Sequence, residues 1–366
     1  MYRAIKVIIS GGGTGGHIFP ALAIANALKK LNPDNEILFV GAEGKMEMEK
    51  VPAAGFKIIG LKVRGFQRRL TLSNLLFPFR VIGSLMKAKK IIKEFKPDAA
   101  VGVGGYASGP LLWAATSMKV PGIIQEQNSY PGVTNMMLAK RVKKICVTYD
   151  GMEKYFPAAK IVMTGNPVRQ DIADIAEKRN EAMEFFGLDK NKKTILVLGG
   201  SLGARTINES VAAGIEKINT AGLQMVWQTG KGYYERAKGF ASENVKVFDF
   251  INRMDLAYSA VDVVISRAGA LSVSELCIAG KPVIFVPSPN VTADHQTKNA
   301  KALTEKNAAI LVADSEARQN LIDETLTLLK NERKCLLLGE NISAFAKHDA
   351  ARRIGEMIYE MIEANG

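Results

Sequence analysis

Short apolar runs alternate with amphipathic stretches along the whole chain. Apolar runs bounded by Gly, Pro or Asn predict buried strands, and apolar residues spaced three and four apart predict helices, as at Phe19–Leu31 and Ser84–Phe95. This alternation predicts parallel sheets with crossover helices, which is a doubly wound α/β fold. The predicted strands are Ala4–Ile9, Ile37–Val40, Lys57–Gly60, Ala99–Val103, Gly122–Ile124, Lys144–Thr148, Ile161–Met163, Thr194–Leu198, Gln224–Gln228, Val245–Phe248, Val261–Ile265, Val283–Val286 and Ala309–Val312.

Each half of the chain opens with a strand, a glycine cluster and the start of a helix. Ile5–Ile9 precedes the run Gly11–Gly16, and Ile195–Leu198 precedes the run Gly199–Ala204. We therefore expect two Rossmann-like domains, residues 1–165 and 166–348, joined at a Gly-Asn-Pro sequence. A last helix, about 349–363, is a candidate to pack back on the first domain. Its predicted apolar face consists of Ile354, Met357, Ile358 and Met361.

The charge of the chain is unevenly placed. The formal net charge is +13 over 366 residues, but residues 1–168 hold 24 Lys/Arg and 10 Asp/Glu, whereas residues 169–366 hold 25 and 26. The window Lys62–Lys96 has ten basic residues and one acidic residue, Glu94. So local an excess indicates an anionic partner, namely nucleic acid, phospholipid head groups or a phosphorylated substrate. A solvated basic face without a partner is the alternative.

Composition excludes several classes of protein. The hydrophobic and charged fractions, 47% and 23%, are typical of a globular chain. No apolar run is long enough to cross a bilayer, and the first residues lead into a strand instead of a signal peptide. The cysteines, Cys146, Cys277 and Cys335, lie far apart with no histidine at metal-binding spacing. Zinc and disulfide frameworks are therefore not expected, and a reducing compartment fits.

The glycine runs are candidate phosphate sites, because a tight turn at a helix N-terminus presents backbone N–H groups and the positive end of the helix dipole. Gly11, Gly13 and Gly16 satisfy G-x-G-x-x-G, and Glu36 follows Gly16 by 20 residues, as in the NAD fingerprint. This match is weak, because a run with five glycines in six positions satisfies many patterns. A simple tight turn is the alternative.

A second cluster of small residues, Ser266–Glu275, follows the predicted strand Val261–Ile265 and begins a helix. Ligands of α/β sheets bind at this edge. The carboxylate of Glu275 could accept hydrogen bonds from two ribose hydroxyls. The structural alternative is a capping box in which Glu275 pairs with Ser272.

Taken together, these motifs resemble the MurG family of bacterial cell-wall glycosyltransferases. Members of that family move N-acetylglucosamine from UDP onto undecaprenyl-pyrophosphoryl-muramyl-pentapeptide (lipid I) to make lipid II. The similarity runs from about Ile5 to the C-terminal region, in order and spacing. It is carried by Gly12–His17, Gly104–Tyr106, Glu126–Asn128, Gly165–Arg169, Gly199–Arg205, Arg267–Glu275 and His295–Gln296.

The resemblance implies a GT-B architecture of two Rossmann-like domains facing a cleft, with the acceptor in the first and UDP-N-acetylglucosamine mainly in the second. It also implies the donor-binding residues. Arg169 and Ser201 would contact the phosphates, and Ile251 would present backbone groups to uracil. Glu275 would hold the ribose, and Gln296 would reach the sugar. The nucleotide would be lined by Ala270, Leu271, Ser272, Val273 and Ser274, and the site would be completed from the first domain by Thr14, Gly15, Gly16 and Asn128. The loop Ser288–Ala293 does not match the family pattern well enough to assign residues.

The chemistry agrees with the resemblance. No Asp-x-Asp occurs in the chain, so neither a divalent-metal site of that type nor another cofactor is expected. Backbone dipoles and cations would stabilise the diphosphate leaving group instead. Inversion by single displacement needs one base. His17 is the first candidate and Glu126 the second; the alternatives are a His17 that bonds only to backbone and a Glu126 that anchors the loop of Asn128.

Because the implied acceptor is a lipid, the enzyme is expected to act at the cytoplasmic face of the cell membrane without crossing the membrane. Apolar residues beside basic ones favour interfacial binding to anionic lipids. The candidate contacts are Leu75, Leu76, Phe77, Phe79, Arg80 and Ile82. An ordinary amphipathic helix that faces the core is the alternative.

Other functions stay open at this point. An NAD(P)-dependent oxidoreductase would explain the first glycine run but not the cluster 267–275, and another GT-B UDP-sugar transferase would share most motifs. Nucleic acid is not the expected partner, because the basic window contains no recognisable nucleic-acid motif.

Overall fold

The computed structural model describes residues 2–63, 77–168, 172, 175–200, 203–291 and 294–365, with only the backbone at 77–80 and 176. Two compact units form, Met1–Arg169 with Asp349–Gly366, and Gln170–His348. The predicted contacts Leu75 and Leu76 and the predicted phosphate ligands Arg169 and Ser201 lie outside the described residues.

The first unit is built on a seven-stranded parallel sheet of order β3-β2-β1-β4-β5-β6-β7. Its strands are β1 (Lys6–Ser10), β2 (Glu36–Ala42), β3 (Lys57–Leu61), β4 (Ala99–Gly102), β5 (Gly122–Glu126), β6 (Lys144–Val147) and β7 (Ile161–Met163). Its helices are α1 (Gly15–Leu31), α2 (Glu47–Ala53), α3 (Phe77–Phe95), α4 (Ser108–Ser117) and α5 (Val133–Leu138). Short 3-10 turns at Met152–Lys154 and Ala158–Lys160 precede β7.

The second unit repeats this plan with a six-stranded parallel sheet of order β10-β9-β8-β11-β12-β13. Its strands are β8 (Thr194–Leu198), β9 (Gln224–Gln228), β10 (Val245–Phe248), β11 (Val263–Ser266), β12 (Val283–Phe285) and β13 (Ile310–Leu311). Its helices are α6 (Arg179–Phe186), α7 (Arg205–Ala213), α8 (Ile215–Thr220), α9 (Lys231–Ala237), α10 (Met254–Ala260), α11 (Ala270–Ala279), α12 (His295–Thr304), α13 (Ala317–Lys330) and α14 (Glu332–Ser343). Short 3-10 turns lie at Ala176–Lys178 and Lys238–Phe240.

Both sheets are buried on both faces, which is why their strands are continuous apolar runs. In β1, Val7 and Ile9 join one hydrophobic cluster and Ile8 joins the cluster on the opposite face. In β8, the side chains of Ile195 and Leu196 divide between two clusters in the same way. This confirms the predicted doubly wound α/β class.

The last helix, α15 (Ala350–Glu363), packs on α1 in the first unit. The four residues of its predicted apolar face are buried. Gly355 lies so close to α1 that an added Cβ would come 2.9 Å from Cδ1 of Leu31. The hydroxyl of Tyr359 donates to Oδ1 of Asn35 at 2.8 Å. The C-terminal residues thus complete the core of the unit that the N-terminal residues begin.

All thirteen predicted strands are present, with ends shifted by a few residues. The two predicted helices of the first half extend beyond the N-terminal ends of their apolar patterns: α1 begins at Gly15, and α3 is described from Phe77. Within the described ranges, no helix is long and apolar enough to cross a membrane.

Candidate active site

In each unit the strand order reverses beside the first strand, between β1 and β4 and between β8 and β11. Connections leave the sheet in opposite directions at such a point and open a crevice at the carboxyl ends of the strands, where α/β proteins bind ligands. The motifs of the sequence analysis lie in the loops that follow these strands. Each unit is therefore described by the loops at this edge.

A buried glutamate occupies the first glycine loop. The carboxylate of Glu47, 1% exposed, accepts the N–H of Gly13 at 2.8 Å and the N–H of Ala42 at 2.9 Å. Gly12 lies against the same carboxylate, so closely that a Cβ there would be 2.1 Å from Oε1. The N–H of Gly13 is therefore not available to a phosphate, and the expectation of an open phosphate site in this loop is wrong at that residue.

The position of Glu36 contradicts the NAD fingerprint. Glu36 is the first residue of β2 and pairs with Lys6, the first residue of β1, at 2.9 Å. It lies at the amino end of the sheet, whereas the glycine loop follows the carboxyl end of β1. In a dinucleotide site the acidic residue must reach the ribose at the same edge as the loop, and Glu36 cannot do so.

His17 lies in the first turns of α1, with its ring over the loop that follows β4. Its Nδ1 is 3.0 Å from the carbonyl oxygen of Gly12 and 3.4 Å from the hydroxyl of Thr14. Because a carbonyl only accepts, neutral His17 carries its proton on Nδ1 and has its lone pair on Nε2. In the described part of the chain no group hydrogen-bonds Nε2.

Gly104 provides the space for this ring. A Cβ at residue 104 would lie 2.7 Å from Cδ2 and 2.8 Å from Nε2 of His17, and the backbone φ there is +98°. Burial lowers the pKa of the His17 imidazole below its ordinary value, while the carboxylates of Glu126 and Glu47 act in the opposite direction. His17 is therefore mostly neutral at neutral pH, as a general base must be.

Glu126, the competing base, is enclosed by donors. It is 2% exposed. Its Oε1 accepts the N–H of Asn128 at 3.1 Å, and its Oε2 accepts the N–H of Gly132 at 3.0 Å and Nδ2 of Asn135 at 2.9 Å. With both oxygens engaged, Glu126 has the geometry of an anchor for the loop that carries Asn128.

A buried amide cluster, which sequence reasoning missed, lies beside this anchor. The Oδ1 of Asn166 accepts from Nε2 of Gln125 at 2.9 Å and from the hydroxyl of Thr148 at 2.7 Å. Its Nδ2 donates to the carbonyl of Gln127, whose side chain in turn donates to the carbonyl of Val103. The cluster joins the ends of β4, β5 and β6. Single polar residues within apolar runs were the available signal.

In the second unit, close backbone contacts shape the glycine loop after β8. A Cβ on Gly199 would be 2.3 Å from the N of Ala204, and one on Gly203 would be 2.2 Å from the carbonyl oxygen of Thr229. Gly200 and Gly203 both have φ of +78°. These positions require glycine, and they hold the loop at the start of α7.

The loop after β11 begins α11 without a side-chain cap. Gly269 is the N-cap residue, so the N–H groups of Leu271 and Ser272 in the first turn have no acceptor within the helix. Arg267 points away from them: its guanidinium donates to the carbonyls of Val286 and Pro287 and pairs with Asp314. It braces the ends of β11 and β12.

The predicted nucleotide-lining set on α11 is only partly suited to that role. Val273 is 4% exposed and belongs to the hydrophobic core, and Ala270 is 6% exposed, so these two side chains present little surface to a ligand. Leu271, Ser272 and Ser274 are partly exposed. Glu275 accepts from the hydroxyl of Tyr258 at 3.1 Å. The capping-box alternative is wrong, because the N-cap residue is Gly269 instead of Ser272.

Gln228, which the sequence analysis missed, joins two loops of this unit. Its Oε1 accepts the N–H of Ile251 at 2.8 Å, and its Nε2 donates to the carbonyl of Gly200 at 3.3 Å. The expectation that Ile251 presents its backbone to uracil fails for this N–H, which Gln228 already binds. Farther along the edge, Oε1 of Gln296 accepts the N–H of Ser288 at 2.9 Å, which orders the start of the loop 288–293.

Comparison with known proteins identifies the family. Residues 7–147 match the glycosyltransferase family 28 N-terminal domain, and residues 194–354 match the glycosyltransferase family 28 C-terminal domain. The chain belongs to glycosyltransferase family 28. The resemblance to MurG is thereby confirmed at the level of the family, and the two matched domains correspond to the two parallel sheets of this glycosyltransferase.

Individual relatives extend this result over the full length. The glycosyltransferase is 57% identical over 365 residues to a Parabacteroides distasonis protein, with 99% of each chain covered, and that protein is named UDP-N-acetylglucosamine--N-acetylmuramyl-(pentapeptide) pyrophosphoryl-undecaprenol N-acetylglucosamine transferase. A relative of the same name from Cytophaga hutchinsonii is also 57% identical, covering 99% of this chain and 98% of the relative.

Among solved structures, Acinetobacter baumannii MurG superposes with a TM-score of 0.77 at 28% identity, covering 98% of this chain and 100% of that one. A Neisseria meningitidis UDP-GlcNAc 2-epimerase, bound to UDP-GlcNAc, has a TM-score of 0.69 at 16% identity, with 97% and 100% covered. The second likeness shows a shared fold. Together with the two sheets, the first confirms the GT-B architecture.

Proposed function

We propose that this glycosyltransferase moves N-acetylglucosamine from UDP-N-acetylglucosamine to the 4-hydroxyl of the muramyl unit of lipid I, with inversion, and so makes lipid II for peptidoglycan. The observation that carries the proposal is the full-length 57% identity to relatives that bear the name of this transferase. The geometry adds support, because His17 offers an imidazole with a proton on Nδ1 and a lone pair on Nε2.

In the proposed reaction, Nε2 of His17 takes the proton of the acceptor hydroxyl as its oxygen attacks the anomeric carbon of the donor. The bond from that carbon to the diphosphate breaks, and UDP leaves with the bonding electrons. Because the donor is an α-glycoside and the family product is β-linked, one displacement suffices. Glu126 lies near enough to favour the imidazolium that forms.

The second unit would bind the donor. The positive end of the α11 dipole and the glycine loop after β8 would face the diphosphate. Glu275 would hold the ribose and Gln296 the sugar, and the resemblance adds Arg169 and Ser201 at the phosphates. Thr14, Gly15, Gly16 and Asn128 are proposed to complete the donor site. No metal is needed in this scheme, because backbone dipoles and cations balance the charge of the leaving group.

A transfer assay tests the proposal. Radiolabelled UDP-N-acetylglucosamine and a short-chain lipid I analogue should give a labelled lipid product of β configuration, and other UDP-sugars should give far less. No label in the lipid product would contradict the lipid II function. Preferred transfer from another UDP-sugar would instead favour a different GT-B activity.

We also propose that the enzyme is peripheral to the cytoplasmic face of the membrane and binds anionic lipid through the first unit. Helices α3, α4 and α5 pack in series, α3 on α4 and α4 on α5. Each carries at least one exposed large apolar side chain. These are Ile82 and Met86 on α3, Trp113 on α4, and Val133 and Met137 on α5.

Basic groups accompany these residues. The side chains of Lys89 and Lys90 on α3 are exposed, and the Arg141 guanidinium lies 3.4 Å from the centre of the Trp113 ring. Apolar insertion beside cations favours anionic interfaces. Of the sequence-predicted contacts, Ile82 is 54% exposed, while the side chains of Phe77, Phe79 and Arg80 lie outside the described part.

Vesicle binding gives a measurable prediction for this surface. The double change Ile82→Glu with Met86→Glu should weaken binding to anionic vesicles at least about tenfold, because two apolar insertions are lost and two like charges are added. Leu336→Glu is the matched control, since Leu336 is 66% exposed in the second unit. Equal binding of the unaltered enzyme to neutral and anionic vesicles would contradict the proposed attraction between the basic side chains and anionic lipid.

A further inference from the structure

Glu47 is a buried carboxylate without an ion-pair partner in the described part of the chain. It begins α2, and its neighbours in sequence, Glu43 and Glu49, are exposed. Removing a carboxylate from water is costly unless hydrogen bonds compensate. Here the compensation is two charge-assisted bonds from backbone N–H groups, those of Gly13 and Ala42.

These two bonds tie the first glycine loop to the end of β2. Gly13 has φ of +86°, and no atom lies within 4 Å of where its Cβ would be, so no side chain packs against Gly13 on that side. The N–H of the neighbouring Gly12 donates to the carbonyl oxygen of Gly104 at 3.4 Å. Gly12 lies against the carboxylate on one side. On the other side its carbonyl oxygen is 3.0 Å from Nδ1 of His17. A short path therefore runs from Glu47 through the turn to the imidazole.

Glu47 also acts on His17 through its charge. The groups that face the imidazole are the carboxylates of Glu126 and Glu47, the hydroxyl of Thr14 and the carbonyl of Gly12. Both carboxylates favour the imidazolium, and burial opposes it. Glu126 hydrogen-bonds the loop of Asn128 and not the glycine turn. Of the two carboxylates, Glu47 is therefore the one that both favours the imidazolium of His17 and hydrogen-bonds the glycine turn.

We propose that Glu47 is a positioning residue for the base: it fixes the Gly12–Gly13 turn so that the Gly12 carbonyl holds Nδ1–H and leaves Nε2 for the acceptor hydroxyl. This inference rests on the proposed function. A residue that only stabilised the loop would not act on His17. The proposed role of Glu47 links the conformation of one backbone turn to the tautomer and the pKa of His17.

The test compares Glu47→Gln, Glu47→Asp and the control Glu49→Gln. Glu47→Gln keeps the shape but offers one acceptor oxygen, so the N–H of either Gly13 or Ala42 faces an NH₂ group. We expect kcat to fall about 10- to 100-fold, as when a supporting group lets a catalytic one shift. The KM for UDP-N-acetylglucosamine should change less than kcat does, because the groups proposed to hold the ribose and the sugar, Glu275 and Gln296, lie in the second unit and not on the glycine turn.

Imidazole NMR supplies a readout that does not depend on turnover. In Glu47→Gln the pKa of His17 should fall below that of the unaltered protein, because a nearby negative charge is lost. Amide exchange at Gly13 should quicken. Glu47→Asp keeps the charge but is shorter, so it should lower kcat with a smaller change in the His17 pKa. Glu49→Gln should change none of these quantities.

An unchanged kcat in Glu47→Gln, or a lowered kcat with unaltered His17 pKa and Gly13 exchange, would overturn the proposal. Loss of the folded state in both Glu47 variants would assign the residue to stability alone and overturn it as well. If the unaltered enzyme transferred no sugar, the proposed function would fail, while the His17 pKa comparison would still decide whether Glu47 acts on the imidazole.

Discussion

Replacing His17 with alanine should lower kcat for transfer by about 10²- to 10⁴-fold at saturating acceptor, the usual contribution of a general base. The KM for UDP-N-acetylglucosamine should change far less than kcat, because the groups proposed to hold the ribose and the sugar, Glu275 and Gln296, lie in the second unit. His17→Asn is the sharper variant, since its amide can still donate to the Gly12 carbonyl but has no basic nitrogen. Near wild-type turnover in either variant would contradict the base role.

The dependence of activity on pH also tests the base role of His17. A base must be unprotonated, so activity should fall as the pH drops through the pKa of His17. Burial places that pKa below the ordinary histidine value, so the acidic limb should lie below about 6.5. Glu126→Gln should retain this limb even where it lowers activity, whereas the His17 variants should lose it. His348→Ala, which changes an exposed histidine, should leave kcat and the profile unaltered.

Glu275→Ala is expected to have the second large effect, a rise of about 10²-fold in the KM for UDP-N-acetylglucosamine. A hydrogen bond to a charged group contributes roughly 1.5–3 kcal/mol, and a carboxylate at a ribose can make two. The hydroxyl of Tyr258 donates to Oε2 of Glu275 at 3.1 Å, and the helix that carries Glu275 packs in the hydrophobic core. The carboxylate is therefore already held in place. The KM of Glu275→Gln should lie between that of the unaltered enzyme and that of Glu275→Ala.

Two controls separate ribose binding from support of the helix. Tyr258→Phe removes the hydroxyl and keeps the carboxylate, so its KM should change less than about threefold. The 2′-deoxy analogue of UDP should inhibit the unaltered enzyme more weakly than UDP, but should inhibit Glu275→Ala about as well as UDP does. An unchanged KM in Glu275→Ala would remove the ribose role.

The strands could be predicted from the sequence because both faces of each sheet are buried. The central strand β8 is apolar from Ile195 to Leu198, and a continuous apolar run ending in glycine is easy to recognise. The start of α1 was less visible, since its first residues, Gly15, Gly16 and His17, carry no apolar period. The C-terminal helix showed its apolar face, but its partner, α1, is more than 300 residues away in the chain.

The glycine loops, His17 and Glu275 were predicted because turn chemistry and motif spacing are local properties of the chain. The occupant of the first loop was not predictable. Glu47 is 34 residues from Gly13 in sequence, and nothing in its neighbourhood marks it as different from Glu43 or Glu49. The same holds for Asn166 and Gln125, which meet across 41 residues. Such pairs depend on how the strands are ordered in the sheet.

Local sequence thus settled the α/β class, the two glycine loops, the net charge of each half and the family. Strand burial, turn geometry and charge are properties of short segments. Folding decided which groups the loops offer to a ligand. It placed Glu36 at the wrong edge for a dinucleotide, gave the Gly13 N–H to Glu47, and enclosed Glu126 in donors while leaving Nε2 of His17 unbonded within the described residues. These outcomes arise from contacts between distant segments, and a buried polar group must find its partner wherever the fold brings one.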